Sequence, residues 1–338
     1  MTTPLISHIY TADPSAHVFE GKIYIYPSHD RETDIETNDN GDQFDMADYH
    51  VFSTTSVDPP APVTDHGVVL RVEDVPWASK QLWAPDAATR DGKYYLYFPA
   101  RDKNNIFRIG VAHADRPEGP FTADPDYIQG SYSIDPAVLV DDVAVGDDAT
   151  PGYLYVGGLW GGQLQCYQKG NAEAYDESWL GPKEPTGEGV YAMGPRIARL
   201  NPDMRSLAEE VREAQILAPE TGKPILADDH DRRFFEAPWV HKRNGLYYFS
   251  YSTGDSHYLC YATGTSPYGP FTYRGRMLEP VVGWTTHHSV VEFKGRWYLF
   301  HHDSSLSGGV THLRSVKVKE IFYDDDGNIV SEDPAKKA

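Results

Sequence analysis

One unit recurs five times along this chain and limits what it can fold into. A glycine opens an aromatic-rich stretch at Gly21 (GKIYIYPSHD), Gly92 (GKYYLYFPARD), Gly152 (GYLYVGGLWGG), Gly245 (GLYYFSYSTGD) and Gly295 (GRWYLFHHD). Each stretch alternates with period two and is rich in aromatic and β-branched residues, which marks a strand. A shorter apolar segment precedes each: SAHVFE, DAATRD, PAVLVDD, PWVHKRN and SVVEFK. A polar turn joins each pair, so the pattern predicts five β-hairpins.

A third strand follows several of them. FRIGVAHADRPEGPFT (107–122) and YLCYATGTSPYGPFTY (258–273) share a strand and a Gly-Pro-Phe turn, and YHVFSTTSVDPP (49–60) is a weaker copy. Antiparallel units repeated at unequal spacing predict an all-β, five-bladed β-propeller occupying 1–338 as a single domain, with no appended β-sandwich. A pair of β-sandwiches would not produce five copies of one unit. A mixed α+β domain would need long helical periods that are missing. NPDMRSLAEEVREAQIL (201–217) is read as a short helical excursion, and the acidic DDVAVGDDATPG (141–152) as an expanded, solvated hairpin turn.

Composition narrows the partners. A formal charge of −20 disfavours nucleic acid and anionic membrane surfaces, whose phosphates it would repel. A neutral ligand such as a sugar is indifferent to it. Cys166 and Cys260 are the only cysteines, too few for a disulfide framework and not spaced as a metal knuckle. No apolar run is long enough to span a membrane, and the N-terminus lacks the pattern of a signal peptide. The expectation is a cytoplasmic, soluble protein; self-association is left open.

Aligning the repeats on their glycines brings acids together. Pro14, Pro85 and Pro238 fall seven residues before Gly21, Gly92 and Gly245, and His288 occupies that place before Gly295. In the third repeat Asp135-Pro136 matches Asp13-Pro14. The preceding position holds Asp13, Ala84, Asp135, Ala237 and His287, and the one before it Ala12, Trp83, Ile134, Glu236 and Thr286. In a propeller this position opens the innermost strand, on the central axis. Any one Asp-Pro is explained by turn chemistry. Asp13, Asp135 and Glu236 converging beside Trp83 and His287 make a functional cluster.

ADPSAHVF, GSYSIDPAV, FFEAPWV and TTHHSVVEFKGRWYLF resemble glycoside hydrolase family 43, the five-bladed propeller glycosidases. DMADYHVFST, QLWAPDAA and GGLWGGQLQ look like its single-domain β-xylosidase branch, and the resemblance runs from about residue 5 to 330. It implies inversion, with Asp13 as general base, Glu236 as general acid and Asp135 adjusting and orienting Glu236. Two carboxyl groups of an inverting enzyme stand roughly 6.5–9.5 Å apart, which leaves room for a water. Thr11, Ser15 and His17 are expected to keep Asp13 ionised. Phe234, Phe235 and Trp239 are expected to desolvate Glu236, and the charge of Asp135 to help keep it protonated.

The resemblance further implies a divalent cation, calcium being expected, at His287 in the central channel, and Arg314 as a hydrogen-bond donor to the sugar. His288 should point into its blade. Trp83 and Phe44 are candidate apolar walls for a sugar ring, and Trp160 either joins them or packs. The pairs His29-Asp30 and His302-Asp303 end their strands alike and are read as structural, blade-to-blade contacts. The implied activity is exo-acting β-xylosidase, releasing xylose from the non-reducing ends of xylo-oligosaccharides in xylan degradation. α-L-Arabinofuranosidase or dual activity is the nearest alternative, and a non-catalytic carbohydrate-binding propeller one from another class.

Overall fold

The computed structural model describes residues 3–168 and 170–336, and its strands form five sheets, antiparallel but for one short edge strand, arranged as the blades of a propeller. Blade 1 contains Tyr10–Phe19, Lys22–Asp30, Asp48–Thr54 and Thr64–Arg71. Blade 2 is built on Asp86–Arg90, Lys93–Asp102 and Phe107–Ala114, and blade 3 on Ala137–Val140, Gly152–Val156 and Arg196–Arg199. Blade 4 comprises Glu236–Arg243, Leu246–Ser252, Leu259–Gly264 and Phe271–Leu278, and blade 5 His288–Phe293, Arg296–Asp303 and Ser315–Tyr323. The first strand named in each blade is the innermost, and corresponds to the short apolar segment of the repeat.

The glycine landmarks mark the inner hairpin turns. Glu20-Gly21, Asp91-Gly92, Asn244-Gly245 and Lys294-Gly295 all hold positive φ at both residues, the requirement of a two-residue turn whose twist matches its strands. Blade 3 departs from this: Asp141–Pro151 forms the expanded turn, closed by the Asp141 N–H donating to the Pro151 carbonyl at 2.9 Å. Its acids serve ion pairs. Asp148 binds Arg90, and Asp141 binds Lys242 and Tyr247.

The tyrosines of the repeat also link the blades. Tyr26 donates to the Pro117 carbonyl at 2.7 Å, Tyr97 to Met204 at 2.7 Å, Tyr155 to Pro267 at 2.7 Å and Tyr248 to Gly327 at 2.8 Å. Each is a second-strand residue reaching into the next blade, its ring buried and its hydroxyl satisfied. Blade 5 meets blade 1 through Thr11 N–H on the Arg314 carbonyl, 2.9 Å, and Ala16 N–H on Ser289 Oγ, 3.0 Å.

Residues 201–217 are not helical. They run as turns with two short strands, Arg212–Glu213 and Ile216–Leu217, the latter pairing parallel to Phe271–Leu278. The Pro-Asp pair and the apolar spacing of Ala214, Ile216 and Ala218 suit an extended edge whose alternate residues are buried. Among the described residues no helix is long and apolar enough to cross a membrane.

Candidate active site

Two inner strands carry the same irregularity where they open. Their register with the second strand is broken between Ala12 and Ser15 and between Glu236 and Trp239. Asp13, Asp135 and Ala237, aligned in the repeat, share left-handed φ of 48°, 56° and 58°. Such a bulge re-aims side chains at a sheet's end. Here it turns Asp13, Asp135 and Glu236 into one cavity of about 230 Å³. All five blades contribute to its wall, blade 1 chiefly through the 31–47 segment (Asn38, Gln43, Phe44).

Asp13 is held on all sides. Its Oδ1 accepts from Arg314 Nη1 at 2.9 Å and its Oδ2 from Ser28 Oγ at 2.7 Å. Its backbone N–H donates to His302 Nδ1 at 2.9 Å. That bond makes Nδ1 an acceptor and leaves the imidazole hydrogen on Nε2, 3.0 Å from the Thr285 carbonyl. Burial alone would raise the Asp13 pKa. The Arg314 guanidinium, with His302, His287 and the Ser28 hydroxyl, outweighs it and brings the carboxyl down to about 2. Arg314 is fixed in turn by Asp30, through Nε at 2.9 Å and Nη2 at 2.8 Å.

Glu236 has the opposite environment. Burial first, and then the charge of Asp13, push its pKa up to about 8, against a weaker pull from Arg314. Phe235 lines the cavity beside it, and Trp160 and Trp284 join Phe235 with ring centroids 5.4 and 6.0 Å away. Phe234 and Trp239, expected there from sequence adjacency, lie instead in the core between blades. Asp135 accepts the Ala237 N–H at 2.9 Å, and burial together with Glu236 and Asp13 holds its own carboxyl well above the ordinary range. Glu236 and Asp135 are buried side by side, each disfavouring the other's ionisation, and the charge of Asp13 adds to the pressure that keeps a proton on the pair.

Thr11, Ser15 and His17 do not hold Asp13. The bulge between Ala12 and Ser15 breaks the alternation that would keep them beside Asp13: Ser15 and His17 bond Asp86 at 2.5 and 2.7 Å, while the Thr11 hydroxyl accepts from Val316 N–H. His288 turns away from the cavity, though toward blade 4 rather than into its own blade, bonded to Ser250 at 2.6 Å. His287 faces the cavity with Nδ1 3.8 Å from both Asp13 Oδ1 and Asp135 Oδ2, its pKa lowered to about 4 by burial. Calcium takes roughly six to eight oxygens. The two nearest carboxylate oxygens already accept from Arg314 and Ala237. The residues present fit a cation only as one nitrogen ligand with water completing its shell.

Trp83, Phe44, Trp160 and Arg314 all reach the cavity. Trp83 is fixed by its indole N–H on the Phe44 carbonyl at 2.8 Å, and Arg314 lies over the Phe44 ring at 4.8 Å. Most of Arg314's donors are spent on Asp13, Asp30 and Thr285, so it acts first on Asp13 and only then on a ligand. Ser28, Asp30, His302, Thr285 and Trp284 were missed as site residues. The repeated His-Asp strand ending was the available signal. Two of its four residues, Asp30 and His302, sit directly behind Asp13; His29 and Asp303 do not.

A buried ionised acid opposite a protonated one, in a pocket walled by aromatic rings, is the machinery of a glycoside hydrolase. The chain matches glycosyl hydrolases family 43 over residues 2–329 and belongs to that family. It is 75% identical to a xylosidase/arabinosidase 43A of Humicola insolens, covering 98% of this chain and 99% of that one. A xylosidase/arabinosidase of Bacteroides ovatus is 58% identical over 97% and 96% of the two chains. Among solved structures, a compost-metagenome β-xylosidase/α-arabinofuranosidase in a calcium-free complex with xylotriose superposes with a TM-score of 0.92. It is 59% identical and the match covers 98% and 97% of the two chains.

Proposed function

We propose that the protein is an inverting exo-glycosidase that releases xylose from the non-reducing ends of xylo-oligosaccharides, with α-L-arabinofuranosides as second substrates. The opposed protonation of Asp13, lowered to about 2, and Glu236, raised to about 8, carries this reading. At neutral pH Glu236 donates its proton to the leaving glycosidic oxygen. Asp13 takes a proton from water, which attacks the anomeric carbon from the opposite face. One bond to the leaving oxygen breaks as one to water forms, and the configuration inverts. Asp135, bonded to the backbone beside Glu236, orients that acid.

A cavity walled from all five blades suits a chain end better than a chain interior, which supports exo action. Phe44, Trp83, Trp160 and Trp284 offer rings to the C–H faces of a sugar. A divalent cation would be held by His287 and water, and when bound would supply positive charge beside Asp13 and Asp135. One five-bladed propeller carries the acid, the base and the cavity wall together.

The test is hydrolysis of xylobiose and of nitrophenyl xyloside and arabinofuranoside, followed by NMR of the first-formed anomer. Release of the α-anomer of xylose from β-linked substrate is expected. First-formed β-xylose would mean retention and defeat the mechanism.

A further inference from the structure

A second cluster of ligating groups lies outside the cavity, on blade 1. His29 ends the strand Lys22–Asp30, and Asp48 and His50 begin the strand Asp48–Thr54. One ligand atom from each of the three lies within 4.8 Å of the others. His29 Nδ1 is 2.7 Å from Asp48 Oδ1, and His50 Nε2 is 3.9 Å from the same oxygen. All three side chains are partly exposed, at 20%, 20% and 14%, so a solvent ion can reach them.

The imidazole of His50 is already arranged as a ligand. Its Nδ1 lies 3.1 Å from Asp65 Oδ1, and since an ionised carboxylate only accepts, that nitrogen carries the hydrogen. The lone pair of Nε2 therefore faces Asp48. A histidine that donates its second nitrogen to a carboxylate is the usual support of a metal ligand. Asp65 is itself fixed, accepting from His8 Nε2 at 2.8 Å and from the Gly67 N–H at 2.7 Å. His29 needs only to move its hydrogen from Nδ1 to Nε2 to become a ligand, with no net proton released.

We propose that His29, Asp48 and His50 bind a divalent cation of the zinc class, with water in the fourth position. Two imidazoles and one carboxylate with one open position match that ion's tetrahedral preference and are poor for calcium. The site has a structural consequence. His29 and Asp48 stand at the two ends of the 31–47 segment, which carries Asn38, Gln43, Phe44 and Met46 into the catalytic cavity wall. The paired register of the two strands covers only Ile23–Ile25 against Thr54–Phe52 and stops short of these residues. A bound ion clasps the base of a cavity loop that the sheet leaves unlaced. Strand alternation keeps it on the face opposite Ser28 and Asp30, away from Asp13.

Calorimetric titration of ZnCl2 into chelator-stripped protein tests this, with proteolysis of the 31–47 segment as a second readout. One zinc is expected to bind wild type and His287→Ala alike and to slow cleavage in both. His50→Ala and Asp48→Asn should each weaken binding at least about tenfold, and Asp65→Asn roughly 10–100-fold through the lost support of His50. Absence of zinc binding to wild type, unchanged binding in His50→Ala, or loss in His287→Ala alone would each overturn the proposal. Circular dichroism without zinc checks each variant's fold; should His50→Ala misfold, Asp65→Asn and His29→Gln decide.

Discussion

Asp13 and Glu236 stand at matching places in two blades, one residue apart in the repeat, yet their surroundings drive them in opposite directions. Around Asp13 the second-strand ends of blades 1 and 5 supply Ser28, Asp30, His302 and, through Asp30, Arg314. On the Glu236 side the cavity wall is Phe235, Trp160 and Trp284. Both carboxyls are desolvated. The one given a guanidinium stays charged and the one given rings and a negative neighbour stays protonated. The same bulge thus presents a base in one blade and, one residue earlier, an acid in another, and their opposite protonation is set by side chains from other strands.

Removing each carboxyl is the sharpest way to break this pair. Asp13→Asn should lose roughly 10³–10⁴-fold in kcat on every substrate, since nothing else takes the proton from water. Glu236→Gln should lose roughly 10²–10⁴-fold on xylobiose but far less on nitrophenyl xyloside, whose leaving group scarcely needs protonation. Equal losses on the two substrates, read from steady-state kinetics, would remove Glu236 as the acid.

The pH profile sharpens it further. In wild type kcat/KM should fall as pH rises through about 8, where Glu236 loses its proton, and stay level down to the acid limb of Asp13. Arg314→Met takes away the charge that holds Asp13 down. The acid limb should then move to higher pH, measured with the variant's own stability checked across the range. An unmoved acid limb would place the control of Asp13 elsewhere.

Stability carries the opposite signs. Asp13 is lowered, so its contribution is present above pH 3.8 and is lost as pH falls toward 2. Glu236 is raised, so the fold loses stability as pH climbs from 4.5 through about 8. Glu236→Gln should abolish that decline, and its melting temperature should overtake wild type by a margin that grows with pH. A constant margin between pH 5 and 8.5 would deny the raised pKa.

The smallest effects separate the cavity from the inner hairpin turns. A Cβ on Gly254 would meet the Phe235 ring at 2.3 Å, so Gly254→Ala should push that ring into the cavity and raise KM several-fold. Gly92 has the same left-handed φ, at 74°, but nothing within 4 Å. Gly92→Ala should cost about 1–2 kcal/mol in denaturant unfolding, from its Cβ at left-handed φ, and leave KM unchanged.

The repeat made much of this legible in advance. Alternation, Gly-led turns and the Asp-Pro alignment located five blades and brought three acids and His287 together, because β periodicity and turn chemistry are local properties. Asp30 and His302 were legible as a pattern but not as supports of Asp13. Their partners lie 284 and 289 residues away, and sequence adjacency pointed to Ser15 and His17 instead. The 201–217 segment misled for a related reason: its helix-forming residues are overridden by the sheet edge against which Ile216 is buried.

By itself, the sequence determined the strands, their turns and which residues open each inner strand, since these follow from φ preferences and the alternation of side chains. Only the tertiary structure decided which of those residues are charged. A pKa depends on what the closed ring sets against a carboxyl, and the Arg314 that keeps Asp13 ionised reaches it from the far end of the chain.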